Sequence, residues 1–172
     1  PSTGMARRSL DAYPTPHSII RVMLHRVELD DVVWEPCAGD GRLVDAMRSR
    51  TAEVIAGDII TGEDFFAVEA APAKMLVTNP PFGRIRKFID HAFDIGVQRL
   101  VLVCPERLWA CQKGHDQWRR HRPSVWANLD WREDYLGKGG APDRALAVGI
   151  WDSPLAFECR YEVWGPTTPW WT

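Results

Sequence analysis

The run Leu100-Val101-Leu102-Val103-Cys104 has no polar position, the pattern of a strand buried on both faces rather than one with a wet side. Such a strand needs a layer above and a layer below it, and the chain supplies them in alternation. Residues 31–36, 53–59 and 74–78 are similar short apolar runs, and the segments around them have helical spacing. Thr15-Pro16 reads as an N-cap and first helical position, followed by Ile19, Ile20, Met23, Leu24 and Val27 on one face to about Glu28. Gly39-Asp40-Gly41 is a tight turn into a helix that reaches about Arg50 and carries Leu43, Val44 and Met47. Ile85, Phe88, Ile89, Ala92 and Phe93 fall at i, i+3, i+4, i+7 and i+8, with Gly96 as the stop. Residues 106–122 are expected to be helical with a basic end. Strands follow near 124–129 and 145–151, with a Gly-rich loop at 136–144, and Phe-Glu-Cys-Arg-Tyr-Glu-Val at 157–163 alternates as a half-exposed final strand. The expectation is an α/β fold: a mainly parallel twisted sheet, helices on both faces, and antiparallel strands at the C-terminal edge.

The 172 residues suit one domain over 1–172 with a core that needs neither disulfide nor metal. With 21 Lys+Arg against 23 Asp+Glu the net charge is -2, which withholds the general basic bias of many nucleic-acid binders but leaves room for a local basic groove. Cys37, Cys104, Cys111 and Cys159 show no C-x-x-C spacing and no companion His pair, so they read as reduced thiols and no metal site is expected. No apolar run approaches the roughly 18 to 20 residues of a membrane span. Residues 1–12 lack the apolar stretch of a signal peptide, so the expected location is the cytoplasm and no membrane partner is expected.

In a parallel sheet, ligands bind beyond the carboxyl ends of the strands. Glu35 and Asp58 end the first two strands and Asp64 lies in the next loop, so one rim is expected to be acidic. Gly39 and Gly41 allow a ligand close to the backbone. A dinucleotide turn would carry a third glycine where this chain has Val44, which weakens the pyrophosphate reading. A ribose for a carboxylate, an adenine to stack and a positive charge for an acidic rim are what remain. S-adenosylmethionine has all three.

Trp-Glu-Pro-Cys-Ala-Gly-Asp-Gly-Arg-Leu at 34–43, followed by Asn-Pro-Pro-Phe at 79–82, resembles the class I S-adenosylmethionine-dependent amino-methyltransferases. Among these it is most similar to small phage or prophage N6-adenine DNA methyltransferases, with the gamma-like order of motifs. Tyr13-Pro14-Thr15-Pro16 resembles their Y-x-T-P element, Gly62-Glu63-Asp64-Phe65 their adenine-contacting D-F motif, and less specifically Ala145 to Asp152 a segment of the small phage-type enzymes. The resemblance implies a single Rossmann-like domain whose residues 13–78 hold the cofactor and 79–164 the acceptor, with no separate target-recognition domain. It places Glu35, Gly39 and Gly41 at the methionine end of the cofactor, Thr15 against the carboxylate, Asp58 on the ribose, and Asp64 with Phe65 on the adenine. Tyr13, Pro16, Pro36, Cys37, Ala38, Ile59 and Asn79 complete the expected cofactor contacts. Asn79, Pro80, Pro81 and Phe82 form the expected catalytic motif.

An amine conjugated to an aromatic ring is a poor nucleophile, because its lone pair is delocalised. The Asn79 side-chain oxygen and the Pro80 carbonyl can accept its two hydrogens and favour a pyramidal nitrogen aimed at the methyl donor. Phe82 offers a face for a base taken out of its stack, and the prolines fix the turn. DNA is the expected acceptor. RNA amino groups and protein glutamine remain alternatives, because Asn-Pro-Pro-aromatic serves those acceptors as well. A binding module with little catalysis of its own is a further reading, which the intact Asn79 speaks against. Trp109, Trp118 and Trp131 suit either core packing or base stacking. Arg84, Arg86, Lys87 and Arg119 to Arg122 suit either phosphate contacts or a solvated face.

Overall fold

A computed structural model describes residues 14–132 and 145–166. Tyr13, the Gly-rich loop at 136–144 and the segment 167–172 lie outside the described residues. Helix α1 (His17–Arg26) precedes strand β1 (Val32–Glu35), helix α2 (Arg42–Arg48) and strand β2 (Glu53–Ala56). Two 3-10 turns (Ile59–Thr61, Phe65–Ala67) lead to β3 (Met75–Thr78). A third (Phe82–Arg84) opens α3 (Ile85–Asp94), and β4 (Arg99–Pro105) follows. A fourth (Glu106–Trp109) precedes α4 (Gln112–Arg120), and β5 (Val125–Arg132), β6 (Ala145–Trp151) and β7 (Arg160–Trp164) complete the order.

The strands form one seven-stranded sheet in the order β2-β1-β3-β4-β6-β5-β7. β1 pairs in parallel with β2 on one side and β3 on the other, so the chain leaves β1 in opposite directions before and after β2. That reversal is a switch point, and it opens a crevice beyond the carboxyl ends of β1 and β3. Antiparallel pairing occurs at the C-terminal side as expected, on both flanks of β6. Among the described residues β7 is the outermost strand on that side and runs parallel to β5, and β6 alone reverses direction.

β4 is buried on both faces. Val101 and Val103 join a core under α1 and α2, while Leu100, Leu102 and Cys104 join a second core under α3, with Phe88, Trp126 and Trp151. α3 and Gly96, whose φ is 98°, follow the sequence expectation.

The strand expected over 53–59 stops at Ala56, because Asp58, expected to end it, instead caps the next 3-10 turn by accepting the Ile60 N–H. Three further boundaries differ, each for a physical reason. α1 is capped by Pro16 and begins at His17, with Ile20 N–H donating to the Pro16 carbonyl at 3.0 Å, so Thr15 lies one position too early to cap it. The final strand starts at Arg160, because the chain bends at 157–158 and Phe157 is 90% exposed. The expected helix over 106–122 is broken between Trp109 and Gln112 so that α4 can fold back on the 3-10 turn. Gly114 is where they touch: a Cβ there would sit 2.6 Å from the Leu108 carbonyl oxygen and 2.8 Å from the Trp109 Cα. Gly114→Ala is therefore expected to destabilise the protein by about 1–3 kcal/mol through overpacking against backbone. Urea unfolding would read it as a lowered midpoint, and an unchanged midpoint would mean that the two segments part freely.

Candidate active site at the sheet's carboxyl rim

Glu35 ends β1 as a carboxyl that is 1% exposed. Its Oε1 accepts the backbone N–H of Cys37 at 2.9 Å and the hydroxyl of Thr78, the last residue of β3. Burial pushes the Glu35 carboxyl up to about 8, against the opposing pull of the Thr78 and Cys37 hydrogen bonds and with a small addition from the Asp58 charge. Burial and the nearby Glu35 also raise the Cys37 thiol, so it stays protonated and is no nucleophile.

Asp58 has left β2 and organises the next turn with both oxygens. Oδ2 accepts the Gly39 N–H and Oδ1 the Ile60 N–H, each at 2.8 Å. The backbone completes the link, with Ala38 N–H donating to Gly57 and Gly41 N–H donating back to Ala38. Gly39 and Gly41 have φ of 55° and 82°, values that a side chain would strain, and the glycine turn can close only in that form. Glu35, Cys37, Ala38, Gly39, Gly41 and Asp58 are thus one hydrogen-bonded unit at the crevice. Ile59 lies just beyond it, half exposed.

Pro36, Asp64 and Phe65 share a neighbouring cleft of about 410 Å³ with Trp34, Ile55 and Gly57 among its lining. Asp64 Oδ1 accepts the Phe66 N–H at 2.9 Å and so shapes the mouth. The Phe65 ring is stacked on Phe88 at 3.8 Å and tilted against Trp34 at 5.4 Å, so it is a core wall of the cleft with little of its surface free. Thr15 is buried and Pro16 half-buried at the start of α1.

Asn79 follows Thr78 directly and is half-buried, Pro80 is buried, and Pro81 caps the 3-10 turn that opens α3, accepting the Arg84 N–H at 3.1 Å. Phe82 is half-buried and packs against the cores on both faces of the sheet, so part of its ring is committed to the fold. The basic residues mostly serve as fasteners. Arg86 donates to the Leu108 carbonyl and lies 3.2 Å from the Cys111 sulfur, Arg120 pairs with Asp90 at 3.2 Å, and Arg84 stands over the Phe66 ring at 4.2 Å. Trp109 and Trp118 pack edge to face, and Trp109 also meets Trp126, so these indoles pack on one another.

Sequence reasoning missed Thr78. Its hydroxyl links the residue before the Asn-Pro-Pro-Phe segment to Glu35, at the entry to the glycine turn, and the only signal for it was a polar residue closing an apolar strand. Among the described residues no group of three His, Cys, Asp or Glu side chains is placed to hold a metal. No described helix is long and apolar enough to cross a membrane.

The sheet order and the crevice at its switch point define a Rossmann-like α/β fold. No protein-family model matches the chain, and no curated protein matches it. Solved structures do. The 23S rRNA methyltransferase ErmE superposes with a TM-score of 0.56 at 16% identity, over 85% of this chain and 72% of that one. A protein assigned as a modification subunit of a type I restriction enzyme from Vibrio vulnificus gives 0.61 at 12% identity, over 93% of this chain. This chain spans 48% of that protein's length. A predicted O-methyltransferase from Agrobacterium tumefaciens gives 0.52 at 14% identity, over 87% of this chain and 85% of that one. At these identities the likeness is one of fold.

Proposed function

We propose that this chain is an S-adenosylmethionine-dependent methyltransferase acting on an exocyclic amino nitrogen, with N6 of adenine in DNA as its acceptor. The observation that carries the reading is the hydrogen bond from Thr78 to Glu35. It sets Asn79-Pro80-Pro81-Phe82 directly beside an acidic glycine turn at the switch point of the sheet.

The cofactor fits these residues on chemical grounds. Asp58 gives the turn a negative character suited to a cation and stands at the rim for a ribose, while Glu35, kept protonated by burial in the free protein, adds a second charge when a bound cation draws off its proton. The cleft of Pro36, Ile55 and Phe65 has apolar walls for a flat heterocycle, with Asp64 at its mouth. Ile59 adds an apolar surface beside Asp58, and Thr15 and Pro16 are assigned to the carboxylate end. The cofactor supplies an electrophilic methyl group. The chain's part is to hold the amine: the Asn79 side-chain oxygen and the Pro80 carbonyl accept its hydrogens, and the rigid prolines keep these acceptors aimed. Phe82 supports the base with the part of its ring that the fold leaves free. On this reading residues 13–78 form the cofactor half and 79–164 the acceptor half.

Two of the similar folds belong to a 23S rRNA methyltransferase and a restriction-modification subunit, which supports a nucleic-acid acceptor and keeps RNA as the second reading. The test is transfer of labelled methyl into unmethylated duplex DNA, single-stranded DNA, transfer RNA, ribosomal RNA and protein extract. Label in DNA adenine is the expected result. Label confined to RNA, or a methylated glutamine, overturns the choice of acceptor. Cofactor binding without transfer to any of these overturns the enzyme in favour of a binding module.

A further inference from the structure

We propose that two copies of this chain join edge to edge through β7, antiparallel, about a two-fold axis at Tyr161. Among the described residues β7 pairs on one side only, with β5. Edge strands are commonly guarded by charges, prolines or covering segments; β7 carries one charge of each sign, Arg160 and Glu162, and between and beside them Tyr161 and Val163 are 63% and 58% exposed.

The backbone fixes which residues would pair. Arg160 N–H donates to the Ser124 carbonyl at 2.8 Å, so Arg160, Glu162 and Trp164 turn their main-chain groups toward β5. By the alternation of a strand, Tyr161 and Val163 turn theirs outward. An antiparallel partner centred on Tyr161 would exchange both bonds between the two Tyr161 residues, and further bonds between Val163 and Cys159 of the second copy. In that register Arg160 stands opposite Glu162 of the second copy and Glu162 opposite Arg160. Both are non-hydrogen-bonded positions, where side chains approach most closely.

Within one copy Arg160 and Glu162 already form an ion pair, so pairing would extend two ion pairs into a four-charge cluster of alternating sign. Centring on Val163 instead would set Glu162 against Trp164 and separate the charges. Centring on Cys159 would run into the bend at 157–158. The charge pattern and the outward amides therefore select the same register. A second copy is the partner that satisfies it, because the strand is complementary to itself. The axis stands perpendicular to the sheet, so the two carboxyl rims point in opposite directions and both stay open.

Sedimentation of the full chain over a concentration series tests this. A dimer is expected, with Arg160→Glu and Glu162→Arg each weakening association about tenfold or more, since each puts like charges opposite one another twice per dimer. The double reversal restores the pattern and is expected to restore the dimer. Val163→Pro deletes an outward N–H, a change that an edge strand tolerates. It should leave the monomer's melting temperature near that of the wild type and abolish the dimer. A wild-type chain that stays monomeric at every concentration overturns the proposal, as do folded single reversals that still dimerise fully or a folded double reversal that does not dimerise.

Discussion

Asn79→Ala is expected to lower methyl transfer by about 10³-fold or more and leave cofactor affinity close to that of the wild type. The side-chain oxygen is assigned to a hydrogen of the acceptor amine, and its removal takes away orientation and charge stabilisation that matter mainly in the transition state. Asp58→Ala is expected to do the reverse. Its two oxygens hold Gly39 and Ile60 at 2.8 Å each, and hydrogen bonds to a charged acceptor contribute roughly 1.5–3 kcal/mol apiece. Without them the glycine turn and the 3-10 turn lose their common anchor, and cofactor binding should weaken by about 10²-fold or more. Asp58→Asn keeps one acceptor oxygen and should fall between. Calorimetric titration with S-adenosylmethionine, run beside single-turnover transfer, separates the two residues. Unchanged affinity in Asp58→Ala would refute the assigned pocket, and undiminished transfer in Asn79→Ala would refute the assigned chemistry.

The parallel half of the fold was legible because each of its strands is short, apolar and punctuated. Residues 99–104 could only be buried on both faces, and Gly39, Gly41 and Gly96 occur where the backbone turns left-handed. Helix α3 announced itself by its spacing. Failures gathered where tertiary contact decides. Nothing local says that residues 106–122 should break, because the break exists to let Gly114 meet Leu108 and Trp109, and glycine reads locally as mere flexibility. The direction of β7 was likewise invisible: alternation gives a strand its faces, while parallel or antiparallel pairing depends on which neighbour it reaches. At the site, motif spacing foretold the union of Glu35, Gly39 and Asp58. It could not foretell that Phe65 would stack on Phe88, or that Thr78 would tie the two motifs together, since both depend on strands and helices far apart in the chain.

The Thr78 tie leads to the second large effect: the free protein is expected to lose stability between about pH 5 and about pH 8, and Glu35→Gln to remove most of that loss. In the unfolded chain Glu35 titrates at its ordinary value of 4.5, and in the fold at about 8, chiefly because burial disfavours the charge. Between those values folding takes up a proton. The contribution of Glu35 is therefore complete below about pH 4.5 and falls by up to about 1.4 kcal/mol per pH unit as pH rises, until pH passes about 8. The difference between wild type and Glu35→Gln isolates this group from the rest of the chain. Thr78→Val removes a donor that holds the carboxyl down, and should move the upper end of the window to higher pH, whereas Thr78→Ser should return it. Denaturant midpoints across the range measure both. A wild type and Glu35→Gln that run parallel with pH would show that the buried carboxyl is not the titrating group. If they diverge as expected, Glu35 is held at a cost in stability beside the very turn assigned to a cationic ligand. A positive charge bound there would favour the ionised form, so binding near neutral pH should release a proton, measurable as a heat that varies with the ionisation enthalpy of the buffer.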